Sequence, residues 1–233
     1  MSITENILRF RGEIDEAARC VGRTGDQIVL VGASKMNDAA ACREAIAAGI
    51  DALGENRVQE MTAKLAQHAY DGAPLHFIGH LQRNKVRQVV GHAALIQSVG
   101  SEPLLREIEK AAGQRELVQE VLLEVNIGGE EAKSGFSPAE LYASAELAAQ
   151  LPHIRCLGLM TIPPVAHFPR ENLPYFEKVH SLFVDISEKI YDNKLKYLSM
   201  GMSGDFADAI RAGSNMVRLG TAIFGARTYP PTV

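Results

Sequence analysis

The chain has 233 residues, with 24 Lys and Arg against 28 Asp and Glu, a formal charge of -4 and three cysteines. That length suits one large domain with a full core and leaves no room for a second catalytic domain, and no Lys/Arg run exceeds two residues, so neither nucleic acid nor a membrane surface is indicated as a partner. Cys20, Cys42 and Cys156 form no disulfide or metal-ligand pattern, no apolar run approaches a membrane span, and Met-Ser-Ile-Thr-Glu-Asn is not a signal peptide, which predicts a soluble, cytoplasmic protein with idle thiols.

Residues 3–22 place Ile3, Ile7, Phe10, Ile14, Ala17, Ala18 and Val21 on one stripe, predicting an extra N-terminal amphipathic helix that caps the outside or bottom of the domain. Strand and helix patterns then alternate: strand 28–34, helix 38–48, strand 51–54, helix 57–68, strand 74–79, helix 82–90, strand 94–99 and helix 102–113. The series continues with strand 117–126, helix 138–150, strand 155–162, helix 171–192, strand 195–200, helix 204–212, strand 215–219 and a final helical or turn segment from Ala222. Gly49, Gly91, Gly113 and Gly213 each fall just before a strand, where a helix C-cap wants glycine. Eight strands, alternating helices and no long linker predict an α/β fold, a single closed (β/α)8 TIM barrel over residues 1–233. An open doubly wound sheet normally has fewer strands and a glycine-rich first turn, and Gly32-Ala-Ser-Lys35 is not GxGxxG. The longest irregular stretch, Pro163 to Pro169, reads as a solvated loop without chemistry.

In a barrel the C-terminal strand tips meet at one mouth. Here they carry Lys35, Asn56, His80, Ser98, Asn126, Thr161, Ser199 to Gly201, and Arg218 to Thr221. Lysine suits carbonyl chemistry because its amine, once its pKa is lowered, attacks an aldehyde to form a Schiff base; the plain alternative for Lys35 is an exposed lysine opening a loop. After strands seven and eight, Ser203 reads as a helix N-cap and Gly220-Thr221 offers backbone amides and a hydroxyl, at the usual phosphate position of this fold. Asp205 and Asp208 read as solvated first-turn acids. Arg218 alternates with Val217 and Leu219, so it points to the barrel interior or mouth and needs a partner there: an internal carboxylate, or the ring nitrogen of a pyridine cofactor. Lys133 reads as solvated, with ligand contact the lesser reading, and His76 and His80 suggest core hydrogen bonding, with no metal site expected. A lysine facing a phosphate cradle points to pyridoxal 5'-phosphate.

Seven motifs carry a resemblance: Val31-Gly-Ala-Ser-Lys35, Leu53-Gly-Glu-Asn-Arg-Val-Gln-Glu60, His76-Phe-Ile-Gly-His-Leu-Gln-Arg-Asn-Lys85, Val125-Asn-Ile with Lys133-Ser-Gly135, Gly158-Leu-Met-Thr-Ile-Pro163, Ser199-Met-Gly-Met-Ser203 and Val217-Arg-Leu-Gly-Thr-Ala-Ile-Phe-Gly225. In this order, over nearly the whole chain, they resemble the pyridoxal phosphate homeostasis proteins, whose barrel is similar to the alanine racemase N-terminal domain. The resemblance implies that Lys35 is the aldimine lysine, that Ser203, Gly220 and Thr221 hold the phosphate, that Arg218 meets the pyridine nitrogen, and that Asn56, Ser199 and Met200 form pocket wall. It implies a protein that holds and buffers the cofactor without assigned turnover, with PLP-dependent apoenzymes as recipients. Two departures stand out: Met36-Asn37-Asp38 where the family usually runs Thr-x-Pro, and Leu173 where an arginine is common. The competing readings are a PLP-dependent racemase, for which the second acid/base domain is lacking, and a Schiff-base aldolase acting on a sugar phosphate.

Overall fold

The computed structural model describes residues 1–130 and 133–225. Among them eight strands, β1 (Val29–Ala33), β2 (Ala52–Glu55), β3 (Leu75–Phe77), β4 (Leu95–Val99), β5 (Gln119–Val125), β6 (Ile154–Thr161), β7 (Tyr197–Ser199) and β8 (Met216–Leu219), pair in parallel in chain order, and β8 closes on β1. Strands buried on both faces read as continuous apolar runs, which is why the sequence pattern finds all eight. The helices are α1 (Ile3–Arg19), α2 (Ala39–Ala47), α3 (Val58–Leu65), α4 (Glu102–Gly113), α5 (Pro138–Gln150), α6 (Leu173–Tyr191), α7 (Phe206–Arg211) and α8 (Thr221–Phe224). α8 answers the expected segment from Ala222, and whatever follows Gly225 lies outside the described residues. No described helix is long and apolar enough to cross a membrane.

Partnered residues on parallel strands point the same way, so the register separates the two faces of the wall. Val29 pairs with Met216, Val31 with Ala52 and Arg218, Gly54 with His76, His76 with Leu95, Glu124 with Met160, and Met160 with Ser199. These line the interior, where Val31, Ala52, Leu95, Leu122, Leu157, Met160 and Met216 form one apolar cluster. Alternate residues, among them Leu30, Leu53, Phe77, Ile96, Leu123, Leu159, Leu198, Val217 and Leu219, belong to the larger core between barrel and helices.

α1 packs along the outside against α2, α7 and α8 and so covers the seam where β8 meets β1. Its Ser2 and Glu5 form a reciprocal capping box, Phe10 meets Phe206 edge to face at 5.9 Å, and the buried Asn6 donates Nδ2 to the Ile223 carbonyl at 2.9 Å. The helix stops at Arg19, short of the expected 22, leaving Val21 exposed.

Two local expectations need correcting. The segment between β3 and β4 is a 3-10 helix, Arg83–Gln88, in place of an α-helix. Gln82 makes no side-chain cap, and β-branched Val86, Val89 and Val90 favour helix weakly, so burial of the valines is satisfied by the tighter turn. Gly49, Gly91 and Gly213 do take positive φ before their strands, but Gly113 does not: it is the last residue of α4, Gln114 is the C-cap, and Glu116 adopts the left-handed conformation instead, at φ 54°.

Candidate functional site

The upper interior layer is polar, in contrast to the apolar layer beneath it. Arg218, 4% exposed, donates Nη1 to Ser199 Oγ at 2.5 Å and Nη2 to the Thr161 carbonyl at 2.8 Å. Ser199 in turn donates to Gln97 Oε1 at 2.7 Å, and Gln97 Nε2 lies 2.9 Å from His76 Nδ1. Burial lowers the Arg218 pKa to about 10, an effect opposed by the nearby carboxylates of Glu124 and Asp205, so the guanidinium stays cationic at neutral pH. Burial conversely raises the pKa of Glu124, whose Oε2 has no hydrogen-bond partner. Arg218 therefore points inward as its alternation predicts, held by a hydroxyl and a carbonyl, with Glu124 close enough to interact electrostatically.

β1 delivers Lys35 to this mouth. Val29, Val31 and Ala33 face inward by register, the ladder extends through the Ser34 amide donating to the Gly54 carbonyl at 3.0 Å, and Lys35 follows in the turn at the strand's tip. Asn56 follows β2, its Oδ1 buried and without a partner. A Cβ on Gly79 would stand 2.2 Å from the Asn56 carbonyl oxygen, so only glycine lets the chain after β3 close in here. Gly220 and Thr221 follow β8, Gly220 as the N-cap of α8 with no side-chain bond. β7, β8, β1 and β2 are successive neighbours, so Ser199, Arg218, Gly220, Thr221, Lys35 and Asn56 share one arc of the rim.

Ser203 lies on the same arc, exposed in the turn between β7 and α7, but it is not the expected N-cap. Asp205 precedes the helix, and its side chain closes the turn: Oδ1 accepts from the Met202 amide at 2.7 Å and Oδ2 from Asn172 Nδ2 at 2.8 Å. Asp205 is thus a clamp and not a solvated acid, while Asp208 pairs with Arg211 at 3.0 Å. Gly201, at φ 97°, permits the turn, since a Cβ there would meet Ala209 at 2.6 Å. Met200 is fully buried, but its side chain belongs to the helix-facing core, opposite to Ser199, so a wall role for it rests on its main chain.

The other polar tip residues are used internally. Ser98 donates to the Gly79 carbonyl, Thr161 to the Val125 carbonyl, and Asn126 Nδ2 to the carbonyls of Glu130 and Lys133. His80 meets Ser134 Oγ at 2.7 Å. Lys133, expected to be solvated, pairs with Glu130 and donates to the Pro163 carbonyl at 3.2 Å. It lines two cavities, of about 660 and about 500 Å³; the larger is walled by the 163–172 loop, Met202, Gly204 and Asp205, so the proline-rich segment borders the mouth. The sequence reading missed Glu55, Glu60 and Lys64. Lys64 follows Val58 and Met61 at helical spacing on the buried face of α3, a signal that it is a charge turned inward.

Comparison with known proteins agrees with this architecture. The family described as alanine racemase, N-terminal domain, matches residues 10–228. The pyridoxal phosphate homeostasis proteins of Aquifex aeolicus and Pseudomonas aeruginosa are 41% and 40% identical to the chain, each match covering 98% of it and 100% and 97% of the relative. The structure of PipY from Synechococcus elongatus with PLP bound superposes with a TM-score of 0.83 at 31% identity, covering 96% of this chain and all of that one. An alanine racemase from Clostridium difficile shares the fold, with a TM-score of 0.74 at 16% identity over 97% of this chain and 60% of that one. A closed parallel barrel with a lysine at its first strand tip, matched end to end by these relatives, places the chain in the pyridoxal phosphate homeostasis protein family, on the alanine racemase N-terminal barrel.

Proposed function

We propose that this protein binds pyridoxal 5'-phosphate at the barrel mouth through Lys35, buffers it within the cell and passes it to PLP-dependent apoenzymes, without catalytic turnover of its own. The observation that carries this reading is the rim arc on which Lys35, Arg218 and Gly220-Thr221 sit on the adjacent strands β1 and β8. The residues fit the group: an amine, a buried cation, a turn with no side-chain cap, and the unpartnered Asn56 Oδ1. When bound, the cofactor supplies an aldehyde and an electron-withdrawing ring. Lys35 would hold the cofactor by supplying the amine that its aldehyde needs for a Schiff base, with water as the other product. Ser203, Thr221 and the Gly220 main chain would hold the phosphate, Arg218 would donate to the ring nitrogen, and Asn56, Ser199 and the Met200 main chain would form the wall. A cationic donor there keeps the ring nitrogen unprotonated and weakens the electron sink that carbanion chemistry needs.

One observation favours the racemase reading. Glu124, with its raised pKa and unpartnered Oε2, is a carboxyl group in the polar layer that could exchange a proton. The test is spectroscopic. Purified protein supplied with the cofactor turns yellow, borohydride bleaches the band, and mass spectrometry finds the adduct on Lys35. Pyridoxal lacking the phosphate binds much more weakly, and L- and D-alanine are not interconverted. A colourless protein would return the aldolase reading, and brisk racemisation would install Glu124 as an acid/base.

A further inference from the structure

The peptide units on both sides of Lys35 are gripped by one helix. Lys64 of α3 donates Nζ to the Ser34 carbonyl at 2.7 Å, and Glu60, one turn earlier, accepts from the Met36 amide at 2.7 Å. Lys64 is itself buried and paired with Glu55 Oε1 at 2.5 Å, and the same oxygen accepts from Ser34 Oγ at 2.6 Å and from Tyr70 OH at 3.0 Å. This cluster lies on the helix-facing side of the wall, because Glu55 and Ser34 alternate with the inward-facing Gly54 and Ala33. An ion pair in that otherwise apolar layer is costly to bury, and removing either partner alone leaves an uncompensated charge. Met36 in the loop it grips sits at φ 63°, the left-handed region that side-chain-bearing residues enter less readily than glycine. Asn37 Nδ2 donates to the Lys35 carbonyl at 3.0 Å, so every backbone group flanking the lysine side chain on its carbonyl side is engaged.

We propose that Glu60 and Lys64, with Glu55 as the counter-charge of Lys64, are positioning residues that aim the Lys35 side chain at the bound aldehyde. Glu55 lies on the helix-facing side of the wall, and Glu60 and Lys64 act through the backbone of residues 34–36. A lysine side chain has many rotamers, and its amine meets a bound carbonyl productively only if its Cα–Cβ direction is fixed; a displacement of about 1 Å can cost about 100-fold in rate. The left-handed turn at Met36 and the carbonyl anchor at Ser34 set that direction.

This inference rests on the reading that Lys35 carries the cofactor, and the experiment separates the two. The rate at which pyridoxal phosphate becomes fixed on the protein is followed by absorbance, with the attachment site read by borohydride reduction and mass spectrometry. Glu60→Ala, at a half-buried position, is expected to fold normally and slow attachment at least tenfold, and Glu60→Gln, which keeps an acceptor for the Met36 amide, restores it. The triple variant Glu55→Met, Lys64→Met, Tyr70→Phe replaces the buried polar cluster with apolar groups of similar volume and is expected to show the same slowing. In a Lys35→Ala background, Glu60→Ala is expected to leave non-covalent cofactor retention unchanged, which a general loss of structure would not do. If Lys35→Ala retains a borohydride-fixable adduct, Lys35 is not the attachment residue and the aiming role falls with it. If Lys35→Ala loses the adduct while Glu60→Ala attaches at the wild-type rate, Lys35 stands and the aiming role alone is overturned.

Discussion

Arg218 is the residue on which the mouth turns, and its neighbours set what a substitution there does. Arg218→Glu would place a second carboxylate beside Glu124 in a buried layer and strip the donors from Ser199 and the Thr161 carbonyl. A loss of about 3–5 kcal/mol of stability is expected in urea unfolding, with Glu124→Gln in the same chain recovering part of it. Independent effects of the two substitutions would mean that Arg218 and Glu124 do not interact. His76 supplies a pH signature. Burial lowers its pKa from 6.5 to about 4, so above pH 6.5 the ring is neutral in both states, and between 6.5 and 4 the unfolded chain takes up a proton that the folded chain refuses. Stability should therefore fall as pH drops through that window, by up to about 3 kcal/mol, and level off below it. His76→Gln removes this component, and an unchanged pH slope in that variant would assign the loss to other groups.

At the scale of elements, the turn between β7 and α7 shows what holds the Ser203 side of the mouth. Asp205→Ala deletes the acceptor for the Met202 amide and for Asn172 together, so a loss of about 1–3 kcal/mol is expected, along with weaker cofactor retention, since Ser203 sits inside the same turn. Thermal unfolding and cofactor titration of the variant check the two halves, and unaltered retention would detach Ser203 from the site. The same turn shows where sequence reading stops. The order of the strands was legible because each parallel strand is a short apolar run bounded by turn residues. Lys35 stood out because it closes an apolar run, and the direction of Arg218 was legible because its parity against Val217 and Leu219 fixes it. Which acidic or hydroxyl residue caps α7 depends instead on Asn172, 33 positions away, and the pairing of Glu55 with Lys64 depends on α3 lying over β2. The side chain of Met200 faces the helices, a direction that a strand of three residues offers too little alternation to fix from sequence.

For the whole molecule, the closed barrel makes strand order and completion inseparable: β1 has its second neighbour only when β8 is in place. α1 spans that seam, with Phe10 on Phe206 and Asn6 bonded to Ile223, 217 positions further along the chain. On a ribosome adding about 5–20 residues per second, the first helix made waits on the order of 10–40 s for its final partners. During that interval Phe10 is an uncovered aromatic on a chain whose β1 edge is also unpaired, the two features that invite aggregation. Stalled nascent chains ending before residue 206 should therefore bind a hydrophobic probe or a holdase chaperone through residues 3–19, and chains extended beyond residue 225 should release it. Equal binding at both lengths would show that α1 finds cover earlier, against α2. The rim proposed to hold the cofactor is completed by the last strand, so a partly synthesised chain is not expected to bind it, and on that proposal loading follows barrel closure.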